Sequence, residues 1–100
     1  LVFRDRVEQA ASFCSYLEQQ LSSYPEGKCT LDTVDVANVR WPFQEFSMLI
    51  GVLQRSRCIV TRFMAFKCGL IDEHINCIGL WLTTVSPHNL PGELHLSNNS

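Results

Sequence analysis

The chain has 100 residues, a net charge of −2, and an apolar share of 46% against 18% charged. This is enough apolar material for the core of one domain, or of a domain with a tail. No run of 18 uncharged apolar residues occurs, which excludes a membrane-spanning helix of ordinary length.

The five cysteines (Cys14, Cys29, Cys58, Cys68 and Cys77) are odd in number and form no C-x-x-C pair. That pattern argues against a secreted disulfide scaffold and for reduced, buried thiols in an intracellular protein, cytoplasmic or nuclear. Asn98-Asn99-Ser100 satisfies the N-x-S glycosylation pattern, but such tripeptides arise often by chance. A surface poor in charge and a chain holding ten aromatic residues point to coverage by a partner or by the rest of a longer protein. The chain opens on Leu1 and is read as a piece of something larger.

In chain order, Phe3, Val7, Ala10, Cys14, Leu17 and Leu21 recur at steps of four and three, one apolar stripe of an amphipathic helix over 3–22. Pro25 and Gly27 end it. Residues 29–39 read two ways. Leu31, Val34 and Val39 fit a short helix, whereas Val34, Val36 and the β-branched content fit a strand. Trp41-Pro42 is a break, and Pro42 suits the first turn of a second helix over 42–56, with Phe43, Phe46, Leu49 or Ile50, and Leu53 on one face.

Residues 58–66 and 74–85 read as two strands of a hairpin, the second from the alternation of Ile78, Leu80 and Leu82 with Cys77, Gly79 and Trp81. The loop between them holds Gly69. After Pro87 the chain turns polar, so 1–86 is read as the domain and 87–100 as a tail or linker. No internal repeat stands out.

The order helix, strand, helix, helix, strand, strand resembles a winged-helix domain, with 42–56 as third helix and 58–85 as wing. The wording LSSYPEGKCTLDTV followed by FQEFSMLIGVLQRSRCIVTRF is similar to the LOTUS type of winged helix, over about residues 5–66. Trp41-Pro42-Phe43 departs from that type, which has a Gly-aromatic step before the third helix. The resemblance implies an RNA-binding or protein-docking module. The rival architecture takes 29–37 as a strand, giving a small α+β sandwich of two helices and three strands.

Charge is unevenly spread. Residues 1–39 carry −3, residues 40–71 carry +4 and residues 72–100 carry −3. Four of the cations, Arg55, Arg57, Arg62 and Lys67, lie within QRSRCIVTRFMAFK (54–67). Cations at a helix C-terminus complement its dipole, which accounts for Arg55 and Arg57, while Arg62 and Lys67 extend the charge along the next strand. Leu70 and Ile71 place an apolar pair at the hairpin tip, suited to a partner's groove.

These residues suggest a non-catalytic module that docks a protein through Arg55, Arg57, Arg62, Lys67, Leu70 and Ile71. The alternative is RNA or DNA binding, with Gln44, Ser47 and Gln54 added to the four cations. Metal binding by Cys68, His74 and Cys77 is disfavoured, since strand spacing turns His74 and Cys77 to opposite faces. No phosphate loop, GxSxG or HExxH occurs, so no catalytic site or cofactor is expected.

Overall fold

The computed structural model describes residues 2–3, 9–23, 30–85, 90–97 and 99. Among them helix and strand alternate: α1 (Ala10–Leu21), β1 (Thr30–Asp35), α2 (Phe43–Ser56), β2 (Ile59–Met64), α3 (Asp72–Thr84) and β3 (Glu93–His95). The domain is α+β, with a three-stranded sheet in the order β1-β2-β3. Both strand pairs are parallel. Val2 extends the series with a parallel bridge to Asp35.

Parallel neighbours need a crossover between them, and α2 and α3 supply it. The apolar face of the sheet, with Val34, Val60 and Phe63, meets the helices in a single core that includes Leu17, Phe46, Leu49, Leu53, Ile78 and Trp81. Phe63 lies at the centre, its ring 6.4 Å from that of Phe46 and 5.5 Å from that of Trp81.

The antiparallel wing implied by the winged-helix and LOTUS resemblance is absent from the described residues. Residues read as its second strand form α3 instead. A short, wholly apolar run looks the same to a buried strand and a buried helix when judged by alternation alone. The buried residues of α3 are His74, Ile78 and Trp81, a helical spacing of four and three. Three features start this helix. Asp72 and Glu73 place negative charge in its first turn. The His74 Nδ1 accepts the Ile71 N–H at 3.1 Å, as a carboxylate does in a capping box. Ile71 itself is extended at the N-cap position.

The choice left open at 29–39 resolves as a strand over 30–35, as in the rival sandwich, but with three helices in place of two. α2 begins after Pro42 and ends at Arg57, which takes the left-handed conformation and donates its N–H to the Gln54 carbonyl. The supposed tail holds β3, so residues 93–95 belong to the sheet. The expected stop at Pro25 and Gly27, and the Val7 end of the first stripe, lie outside the described residues.

An internal repeat, not seen in the sequence, organises the fold. Val34, Phe63 and Leu94 are register partners on successive strands, separated by 29 and then 31 residues. Two residues further on, just past the end of each strand, stand Val36, Ala65 and Leu96, and the turns after the first two also correspond. Asn38 and Lys67 both have positive φ, 65° and 56°. The amides of Val36 and Ala65 both donate to the next strand, at Met64 O (2.9 Å) and His95 O (2.8 Å). The units β1–α2 and β2–α3 are each one strand, one turn and one helix, and β3 stacks on them as the strand of a third.

Candidate functional site

All the described helices pack on the face of Val34 and Phe63, so among the described residues no helix covers the other face of the sheet. A strand alternates its side chains between faces, so this open face carries the residues next to the buried ones. The register sets them in two rows across the strands. Thr33, Arg62 and Glu93 form one, and Asp35, Met64 and His95 form the other.

The rows are electrostatically structured. The Arg62 Nε lies 2.7 Å from the Glu93 Oε2, and the His95 Nε2 lies 3.2 Å from the Oε1 of the same carboxylate. The hydrogen bond from His95 and the positive charge of Arg62 hold the Glu93 carboxyl below its ordinary range. At the β1 end, the Asp35 Oδ1 accepts the Ala37 N–H at 3.1 Å, which fixes that carboxylate at the start of the turn. Met64 and Phe66 are half-buried between these charged ends. The face therefore has an apolar centre flanked by carboxylates, with one guanidinium tied to the outer one.

The residues singled out from sequence do not converge. Arg55 sits on α2 and pairs with Glu18 of α1, Nε to Oε2 at 2.7 Å. That pairing lowers the Glu18 carboxyl and raises the Arg55 guanidinium. Arg62 lies on the open sheet face, across the thickness of the domain from the helix layer. Arg57 caps α2, and Lys67 occupies the turn after β2, its N–H bound to the Ser97 carbonyl. A helix and the strand that follows it lie in different layers, so charges contiguous in sequence are divided between two surfaces.

The expected hairpin tip is the turn from β2 into α3. Leu70 is buried there as a core residue, and only Ile71 is exposed. Gln44 and Gln54 are exposed on α2 and Ser47 is half-buried, its hydroxyl donating to the Gln44 carbonyl. All three belong to the helix layer.

His74 and the cysteines are structural in their contacts. The His74 Nε2 is 2.7 Å from the Trp41 carbonyl, while its Nδ1 accepts from Ile71, so the ring is neutral with the proton on Nε2. Burial pushes the Cys14 thiol up to about 11 and raises that of Cys77. Among the described residues no group of three His, Cys, Asp or Glu side chains is placed to hold a metal ion. None of the described helices is long and apolar enough to cross a membrane.

Sequence reasoning missed Thr33, Asp35, Met64, Glu93 and His95. The signal that finds them is the spacing of Val34, Phe63 and Leu94, since the residues flanking each of these must share the opposite face. Compared with protein-family models, with curated proteins and with solved structures, the chain matches none.

Proposed function

We propose that this chain is a non-catalytic protein-docking module of a larger intracellular protein, and that the open sheet face is its docking surface. The observation that carries the reading is the placement of all the described helices on one side of a parallel sheet, which leaves two ordered rows of side chains that no described helix covers. Stacked strand–helix units characteristically offer such a face to partners. The series Val60-x-x-Phe63-x-Ala65-x-x-Cys68-x-Leu70 and Leu31-x-x-Val34-x-Val36-x-x-Val39-x-Trp41 also follow the spacing of leucine-rich repeats, with aliphatic and aromatic residues at the leucine positions.

The partner this face suits is a protein segment with an apolar side chain for Met64 and polar groups that join the Arg62–Glu93–His95 cluster. Nucleic acid binding by residues 55–67 has less support. Arg55 and Arg62 lie in different layers, and each already faces a carboxylate, so they form no continuous track for a phosphate backbone.

The test is site-specific photo-crosslinking in the native host cell, with the reactive group placed at Arg62 or at Gln54. Protein adducts from position 62 and none from 54 support the proposal. Adducts from 54 alone, or RNA adducts from either position, overturn it.

A further inference from the structure

Stacked units provide an internal control for every position. On α2, Phe46, Ile50 and Leu53 are buried, and the His74 ring of α3 lies 5.2 Å from that of Phe46. The same helical positions of α3, 29 residues on, are Ile75, Gly79 and Leu82. Ile75 is 42% exposed where Phe46 is 0% exposed. Leu82 is half-buried, and a Cβ placed on Gly79 would meet nothing within 4 Å. The sheet repeats this contrast. Val34 and Phe63 are 0% exposed, whereas their register partner Leu94 is 40% exposed. Two residues on, Val36 and Ala65 are buried and give their amides to the following strand, and Leu96 holds the equivalent place just after β3.

The opposite end of the stack differs. The exposed residues of α1 are Ser12, Ser15, Gln19 and Gln20, together with Ala11 and Tyr16. A polar outer face is what a terminal unit needs in water, and α1 has one where the flank of α3 does not.

We propose that the α3–β3 end is a docking surface for a further strand–helix unit of the same kind. Its strand would run parallel to β3, accept the Leu96 amide and cover Leu94. Its helix would lie along Ile75, Gly79 and Leu82. Gly79 fits this role. Glycine inside a helix costs about 1 kcal/mol relative to alanine, and no contact within the described residues requires it. A neighbouring helix approaching closely does require it. A second copy of this chain added head to tail fits poorly, because it would press the Ser and Gln surface of α1 against Leu94 and Ile75 and leave hydroxyls and amides without partners. This inference concerns the end of the stack and is independent of the open sheet face.

The experiment extends the chain by appending a second copy of residues 70–97 directly after Ser100, followed by a copy of residues 98–100, so that Asn99 keeps its place behind the first β3. Hydrogen exchange at the Leu96 amide should slow by about tenfold or more in the extended chain, and the urea midpoint should rise. Gly79→Arg in the first copy should abolish both gains, while the unextended Gly79→Arg chain keeps its wild-type midpoint or exceeds it, since the new side chain points into open space. Unchanged Leu96 exchange in the extended chain overturns the proposal. So does sedimentation of the unextended chain as a dimer that Leu94→Lys converts to a monomer, because the face then belongs to a second copy.

Discussion

Cys68 and Asn99 make the same tie one unit apart. The Cys68 thiol donates to the Val36 carbonyl at 3.2 Å, and the Asn99 side-chain amide donates to the Ala65 carbonyl at 3.0 Å, where Val36 and Ala65 are equivalent strand residues. Each tie closes the turn of one unit onto the strand of the unit before. Asn99 does more, because its Oδ1 also accepts the amides of Cys68 (2.8 Å) and Leu70 (3.2 Å).

Asn99→Ala should therefore be costly for a residue so near the end of the sequence. It removes four hydrogen bonds, two of which satisfy backbone amides beside the core. With each worth about 0.5–1.5 kcal/mol, a loss of about 2–6 kcal/mol is expected in urea unfolding. A loss below about 0.5 kcal/mol would mean that Asn99 does not hold the last turn.

His74→Phe separates packing from hydrogen bonding at the α2–α3 contact. The ring keeps its neighbours Phe43 and Phe46, but the Trp41 carbonyl and the Ile71 amide lose their partner. The expected cost is about 2–3 kcal/mol. Nitrogen chemical shifts of the wild-type imidazole should report the tautomer protonated at Nε2, and the opposite tautomer would contradict the assignment.

Lys67→Asn should stabilise the fold. Lys67 adopts a left-handed conformation that Asn tolerates better, and Asn38 already fills the equivalent turn. A gain of about 0.5–1 kcal/mol is expected. An unchanged or lower melting temperature would show that the lysine side chain contributes something the turn geometry does not reveal.

Acid should weaken the α1–α2 contact in a way that Glu18→Gln removes. Hydrogen bonding to Arg55 lowers the folded-state value of Glu18 from its ordinary 4.5. The stabilisation is therefore present above 4.5 and is lost as the pH falls through the lower folded value. Because the pair is solvent-exposed, the effect is small and fades with salt. Identical pH profiles for wild type and Glu18→Gln below 4.5 would dismiss the contribution.

Much of the helical layer was legible in the sequence. Ala10, Cys14, Leu17 and Leu21 are the buried residues of α1, and Phe46, Leu49, Ile50 and Leu53 are among those of α2, as their spacing indicates. The amphipathic contrast in those segments is strong. α3 lacks it, because Leu80 is apolar yet exposed and the buried His74 is polar. The repeat escaped notice for a related reason. Its turn-tying position is Val39, then Cys68, then Asn99, and the unit length changes from 29 to 31, so only volume and burial recur. The open-face residues followed from the repeat and could not be read without it. The basic segment was correctly seen as a concentration of charge, but its division between two surfaces depends on where a helix ends and a strand begins.

The stacking also dictates how the molecule comes apart. Among the described elements the main contacts run from β1 to β2 to β3 and from α1 to α2 to α3, so the first and last units are joined chiefly through the middle one. Loss of β3 leaves the β1–β2 pairing and the α1–α2 packing in place, whereas loss of β2 separates β1 from β3 and leaves the units joined through their helices alone. Melting is accordingly expected to start at the outer strands and move inward, with β2 the last to let go.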